Sequence, residues 1–320
     1  MNSLLKSLVE FDSSRDYVVA IITETKGSTY RKSGAMMLVS DSFKYWGLLS
    51  GGCLEGDIVE HCKGVFDNQA DSQIEYNLRG DDDWLWGMGL GCDGEITVLL
   101  KYLPANQNHL GFIEMLTKID SGLSQTLSID DKNNFIIQAK EPENTLYKFQ
   151  KRFNTPHRLL ICGASPDVPP VTAIANQVGW KTTIIDHRKA SLNPQLFPVA
   201  DRLIHVKMSQ WTDFDLTQFD SAVIMSHQYE KDREYLRRLL GTSIKYIGLL
   251  GPSKRREKLL EDCGKSFKPL KGRLFGPIGL DLGAASPEEI ALAIISEIQA
   301  VRNVKNNQQK IGFCYQDENR

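Results

Sequence analysis

The stretch His157-Arg158-Leu159-Leu160-Ile161-Cys162-Gly163-Ala164-Ser165-Pro166-Asp167, followed by Val168 to Arg188, decides how the chain reads. Arg158 to Cys162 is a short apolar run, Gly163 to Asp167 punctuates it, and Val171 to Val178 returns apolar residues at helix-compatible spacing before Gly179. A second run, Lys181-Thr182-Thr183-Ile184-Ile185, ends at the acidic Asp186. Strand, turn, helix, strand and terminal acid make the opening β-α-β unit of a dinucleotide-type fold. Pro169 and Pro170 belong in the first helical turn, where a missing amide hydrogen costs least. The fingerprint is incomplete. Ser165 and Pro166 stand where a dinucleotide turn carries further glycines, which weakens the case for a pyrophosphate lying close to the backbone.

The same pattern runs on toward the C-terminus. Arg202 to Val206 reads as an edge strand, and Asp220 to Met225 as a buried one ending at Ser226-His227. Tyr229 to Leu240 follows with apolar residues at helical spacing, so His227, Asp232 and Arg233 fall near the outlet of a parallel strand. There His227 could move a proton or bind an anion, and could equally stabilise the strand-to-helix junction. Tyr246 to Pro252 makes another strand-to-turn step before the basic Lys254-Arg255-Arg256. Lys254 and Arg255 suit a phosphate but also suit a solvated helix face. Ser286-Pro287-Glu288-Glu289 is a helix start, with Ser286 as N-cap and Glu289 placed for the reciprocal cap. The C-terminal half is therefore expected to be a Rossmann-like parallel-sheet domain.

At 320 residues the chain has room for two domains, and its formal charge of -2 with 41% hydrophobic residues suits an ordinary globular protein. That balance argues against a surface tracking a phosphate backbone, so no nucleic-acid partner is expected. The first residues lack the basic segment and long apolar core of a secretory signal, and no run is long enough to span a membrane. A cytoplasmic protein with reduced cysteines is the expectation.

Working back into the N-terminal half, Leu4 to Phe11 suggests a short helix and Tyr17 to Thr23 a strand. Lys26-Gly27-Ser28-Thr29-Tyr30-Arg31-Lys32-Ser33-Gly34 then combines hydroxyls, cations and glycines. Its amides and hydroxyls, Ser28 among them, can form an anion-binding loop with charge from Arg31 or Lys32, or else a solvated hairpin. Ser50-Gly51-Gly52-Cys53-Leu54-Glu55-Gly56-Asp57 is read as joining a buried strand to a helix. Free amides at that helix start favour a thiolate at Cys53 or an anionic ligand, while Glu55 and Asp57 could oppose the thiolate or cap the amides. The competing reading is a small cysteine packed at a tight junction. The spacings of Cys53, His61, Cys62 and Cys92 do not match a structural zinc module, and no metal site is expected.

Asp71 to Leu78 and Glu95 to Leu100 read as strands flanking the Gly87-Met88-Gly89-Leu90-Gly91-Cys92-Asp93-Gly94 turn, where Cys92 could meet the reactive part of a cofactor. His109 to Leu116 suggests a short amphipathic helix, and Leu127 to Ile129 and Phe135 to Ile137 two strands. The boundaries drawn are residues 1–103, an appended segment and connection at 104–156, a second domain at 157–301 and a polar tail at 302–320.

Taken in order, these segments resemble the XdhC/CoxI family of molybdenum-enzyme maturation proteins. The resemblance rests on Gly27-Ser28-Thr29, Ser50-Gly51-Gly52-Cys53-Leu54-Glu55 and Gly89-Leu90-Gly91-Cys92-Asp93-Gly94 in the first half. In the second it rests on Gly163 to Asp167, Asp186-His187-Arg188, Met225-Ser226-His227, Tyr246 to Gly251 and the run from Gly276 to Leu292. It spans the chain to about Arg302, and Asp93 departs from a glycine often found there in the family. The resemblance implies a mixed α/β XdhC/CoxI domain followed by the Rossmann-like domain. It implies a chaperone that handles molybdenum cofactor in its molybdopterin form, with a cysteine desulfurase and a xanthine-dehydrogenase-like apoenzyme as partners. An accessory factor is expected rather than a stand-alone enzyme, and a homo-oligomer stays open. Cys53 is the residue it marks for cofactor or sulfur handling, with Cys92 second. Candidate binding residues are Ser28, Arg31, Gly51, Gly52, Glu55, Gly163, Asp167, Asp186, Arg188, His227, Lys254 and Arg255. Gly163 and Asp186 are also the dinucleotide-like positions, which keeps open NAD or NADP and an oxidoreductase, as well as a non-catalytic interaction module.

Overall fold

The structure, a computed structural model, describes residues 2–78, 94–141 and 147–303. The chain divides into two compact units, Met1–Pro156 and His157–Arg320.

The first unit opens with helix α1 (Asn2–Ser7), then strands β1 (Tyr17–Gly27), β2 (Met36–Ser40) and β3 (Tyr45–Gly47), helix α2 (Glu55–Asn68), and strands β4 (Ser72–Asn77) and β5 (Gly94–Leu103). The strands form one antiparallel sheet in the order β3-β2-β1-β5-β4. Helix α3 (Phe112–Ser121) and strands β6 (Gln125–Ile129), β7 (Phe135–Gln138) and β8 (Phe149–Phe153) complete the unit, the last three as a small antiparallel sheet. The unbroken apolar run of β1 follows from burial on both faces. Tyr17, Val19 and Ile21 pack against α1, α3 and the small sheet through Leu4, Phe112, Leu116, Leu127 and Phe149. Val18, Ala20 and Ile22 face the other way, onto Ile58, Cys62 and Val65 of α2.

Two local expectations change. The strand before Gly51 is a three-residue, partly exposed edge strand rather than a buried one. Helix α3 begins at Phe112, because Asn108, His109, Leu110 and Gly111 take positive φ values of 50°, 49°, 51° and 75°. That left-handed turn is disfavoured for residues with a Cβ. It is held in part by the buried His109 ring, whose Nε2 lies 2.9 Å from the Arg15 carbonyl.

The second unit contains β9 (Arg158–Cys162), α4 (Val168–Gln177), β10 (Lys181–Asp186), β11 (Arg202–His205), β12 (Ser221–Ile224), α5 (Tyr229–Leu240), β13 (Tyr246–Leu249), α6 (Ser253–Asp262), β14 (Leu274–Phe275) and α7 (Pro287–Arg302). All six strands are parallel, in the order β11-β10-β9-β12-β13-β14. Counted from β9, this is the 3-2-1-4-5-6 order of a Rossmann sheet. Alternate residues again split the core: Leu159 and Ile161 join the α4 and α7 side, Leu160 and Cys162 the α5 and α6 side. Pro169 and Pro170 lie in the first turn of α4, and the Ser286–Glu289 capping box is present at α7. Among the described residues, no helix is long and apolar enough to cross a membrane.

Candidate functional site

Antiparallel pairing brings the glycine-rich loops of the first unit to one end of its sheet. The register pairs Gly27 with Gly94, Met37 with Gly47 and Asn77 with Glu95, so the loops after β1 and β3 leave from the end where β4 finishes and β5 begins. Gly94 has to be glycine there, since a Cβ would lie 2.6 Å from the carbonyl oxygens of Lys26 and Ser28. The Tyr30 ring lies beside Gly51, 3.8 Å from where a Cβ would stand, and the Arg31 guanidinium sits 5.6 Å from the centre of that ring. Ser28, Arg31, Gly51 and Gly52 are exposed and Cys53 is half-buried with a free thiol.

The loop carrying Cys53 is fixed from within. Glu55 is only 2% exposed; its Oε1 accepts the amides of Leu49 and Ser50 at 2.9 and 2.7 Å, and its Oε2 accepts the Ser50 hydroxyl at 2.5 Å. Ser50 Oγ in turn accepts the amides of Gly52, Cys53 and Leu54 at 3.2, 3.1 and 3.0 Å. Burial alone would raise the Glu55 carboxyl, but these hydrogen bonds outweigh it and hold the group below its ordinary range. The amides expected to stay open for a thiolate or phosphate are thus occupied by the chain's own hydroxyl. Glu55 serves the loop rather than facing outward. Ser50 is the residue that sequence reasoning passed over, because its five-residue spacing from Glu55 is not that of a capping box.

In the second unit, the crevice between β9 and β12 is where the strand order reverses, and it gathers most of the remaining candidates. Gly163 takes φ 117°, and a Cβ on it would fall 2.6 Å from the Ser226 backbone. Ser165 Oγ donates to the Met225 carbonyl at 2.8 Å and also contacts Asp167. Asp167 lies 3.0 Å from His227 Nε2, and His227 itself has φ 59°. Ser226 Oγ donates to the buried Asp232 at 2.5 Å, and Arg255 Nη2 reaches the other oxygen of Asp232 at 2.7 Å. Lys254 is exposed on the first turn of α6 and Arg255, not Lys254, enters this network.

Asp186 is fully buried, and its carboxylate accepts the Ala164 and Arg188 amides at 2.8 and 2.7 Å and the Arg188 guanidinium at 3.0 and 2.8 Å. Burial works to raise its proton affinity, but Arg188 and the two amides win and lower it. Both oxygens are therefore turned into the protein instead of toward a ribose. Cys92 lies outside the described residues. Among those described, no group of three or more His, Cys, Asp or Glu side chains is arranged to hold a metal ion.

A Rossmann-ordered unit preceded by an antiparallel unit that collects glycine loops at one sheet end defines a two-unit α/β protein. Family models for the XdhC and CoxI family and for the XdhC Rossmann domain match residues 11–77 and 159–298. The chain is 31% identical to a Bacillus subtilis protein named as one of the probable xanthine dehydrogenase subunits, covering 94% of this chain and 97% of that one. It is 24% identical to the molybdenum cofactor insertion chaperone PaoD of Escherichia coli, over 91% of this chain and 85% of PaoD. The crystal structure of a xanthine dehydrogenase from Bacillus halodurans superposes with a TM-score of 0.79 at 29% identity, covering 98% and 99% of the two chains. The chain belongs to the XdhC and CoxI family.

Proposed function

We propose that this chain is a maturation chaperone that takes molybdenum cofactor as cargo, assists its sulfuration and helps insert it into a xanthine-dehydrogenase-like apoenzyme. One observation carries the reading: the half-buried thiol of Cys53 follows two exposed glycines on a loop whose geometry is set by Ser50 and Glu55. A soft sulfur on a fixed, open loop suits a metal-dithiolene centre, and a preorganised loop presents it without an ordering cost. Ser28 and Arg31, exposed at the same sheet end, are suited to the cargo's phosphate. The role that PaoD's name carries, insertion of molybdenum cofactor, supports the assignment.

In this role a cysteine desulfurase supplies sulfur while the cargo is held, and the apoenzyme receives it. The chemistry belongs to the cofactor, and the chain governs access and orientation. The four described cysteines are free thiols, as suits a reducing cytoplasm. A dinucleotide oxidoreductase is less well supported, since Asp186 has no oxygen directed to a ribose. The test is anaerobic reconstitution of a xanthine-dehydrogenase-like apoenzyme with cofactor and desulfurase, with and without the chain. Faster or fuller activation with the chain is expected; equal activation without it would overturn the role.

A further inference from the structure

The first unit holds an open cavity of about 610 Å³ that the chaperone role leaves unused. Its walls come from the segment before β1, the turn after β5 and one side of α3. It lies at the end of the sheet where Tyr17 pairs with Leu103, whereas the Cys53 loop lies at the Gly27 end. The eleven residues of β1 separate the two ends by roughly 30 Å at about 3.3 Å per residue, so a cofactor held at Cys53 does not extend into it.

The walls are fixed to one another. Asp16 accepts the Ala105 amide at 2.8 Å through one oxygen and the Tyr102 hydroxyl at 2.5 Å through the other. His109, only 3% exposed, packs edge-on against Phe11 with ring centres 5.0 Å apart and meets the Arg15 carbonyl at 2.9 Å through Nε2. Asn108, His109 and Leu110 hold positive φ in succession here. Residues with a Cβ keep that conformation only where their surroundings over-determine it, and such strain concentrates at ligand sites.

The lining specifies what fits. A cavity of this volume is in the range of small-molecule sites, and Phe11 and Ile113 give it aromatic and aliphatic surface. A carbonyl only accepts, so Nε2 of His109 carries the ring proton toward Arg15 and Nδ1 is left as an acceptor. The Thr117 hydroxyl directs its proton to the Ile113 carbonyl at 3.0 Å, so it too can only accept from a ligand. Asn106 and Asn108 make no side-chain hydrogen bond among the described residues, and each carboxamide offers a donor and an acceptor side by side. Glu114 is already paired with Lys118 at 2.6 Å, and the lining contains no lysine or arginine to favour a phosphate or carboxylate. The matching ligand is neutral and flat, carries ring N–H groups and has an amide-like edge. Carboxamides pair two-pronged with base edges of that kind, and an aromatic wall receives the ring face.

We propose that this cavity binds a neutral bicyclic lactam of the purinone type, as free base or nucleoside, with Asn106 and Asn108 on the lactam edge and His109 Nδ1 on a ring N–H. The site is independent of the chaperone role of Cys53 and is tested on the full chain without molybdenum cofactor. Calorimetry with hypoxanthine, inosine and 1,3,7-trimethylxanthine reads it, together with NMR of the histidine ring signals. Hypoxanthine or inosine is expected to saturate with a dissociation constant below about 1 mM and to shift the His109 signals with the same constant. The tighter of the two identifies base or nucleoside as the ligand form. Trimethylxanthine has a similar fused ring but no N–H, and should bind about tenfold more weakly or worse. Asn108→Gly keeps the positive φ and removes the carboxamide, and should weaken binding about tenfold, while Cys53→Ser should leave it unchanged. Equal binding of trimethylxanthine would overturn the lactam assignment. Absence of saturable binding by both hypoxanthine and inosine, an unchanged constant in Asn108→Gly, or loss of binding in Cys53→Ser would overturn the site.

Discussion

The buried carboxylate of Glu55 lies 2.5 Å from the hydroxyl of Ser50, and through that hydroxyl it fixes the amides on either side of the Cys53 peptide. Glu55→Gln keeps an acceptor for the amides of Leu49 and Ser50 but sets an amide nitrogen against a hydroxyl that must donate. A loss of about 1–3 kcal/mol is expected. Because the folded group lies below its ordinary 4.5, the stabilisation is complete above that pH and fades as pH falls through the lowered folded value. Urea unfolding of both forms across acid pH checks this: the gap should be widest near neutrality and close in acid.

Gly163 and Gly52 separate steric crowding from backbone strain. Their φ values are 117° and 111°, but a Cβ at Gly163 meets the Ser226 backbone at 2.6 Å whereas nothing lies within 4 Å of one at Gly52. Each alanine substitution incurs the conformational penalty, and only Gly163→Ala adds a clash with atoms that cannot move aside. Gly163→Ala is expected to cost about 2 kcal/mol more than Gly52→Ala, read as the difference in unfolding free energy.

His157 makes the second unit sensitive to acid. Burial, assisted by the charge of Arg302, pushes its ring from the usual 6.5 down to about 3, and it packs on Trp180 with ring centres 4.5 Å apart. Asp220 stands 3.5 Å from Nδ1 but is itself 55% exposed, so water screens its pull. Stability from the neutral ring is complete above 6.5 and is lost as pH falls toward 3, on the order of 3–5 kcal/mol over that range. His157→Phe keeps a ring against Trp180 and removes the proton site. Its thermal unfolding should vary less with pH in that window; an unchanged slope would contradict the assignment.

Much of this was legible in the residues, for reasons that differ between the units. The β9-α4-β10 unit announces itself because parallel strands buried on both faces read as short apolar runs, and Ser286 and Glu289 carry their capping chemistry within four residues. The meeting of Gly27 with Gly94 is not legible in that way. It depends on antiparallel register between strands far apart in the chain, and no local pattern encodes it. Glu55 and Asp186 show the same limit at the level of a side chain. Each looks like a group facing a ligand from its place beside a glycine turn, yet each turns inward because backbone amides and a nearby partner bind it more fully. The left-handed turn at Asn108 to Gly111 had only Asn108 and Gly111 as signals, since His109 and Leu110 between them disfavour positive φ.

Cys53 is the centre of the chaperone reading, and Cys53→Ser tests it most directly. The substitution keeps volume and polarity while exchanging a soft sulfur for a hard oxygen. The Cys53 amide would still be free to donate to Ser50 Oγ, so little loss of folding is expected. Both proteins are purified anaerobically under reducing conditions, matched by circular dichroism and thermal unfolding, loaded with molybdenum cofactor and offered limiting apoenzyme. Retained cofactor and recovered activity should each fall by about tenfold or more in Cys53→Ser, equivalent to about 1.4 kcal/mol of cargo binding. Equal retention and equal activation by an equally folded Cys53→Ser would contradict the role assigned to this thiol.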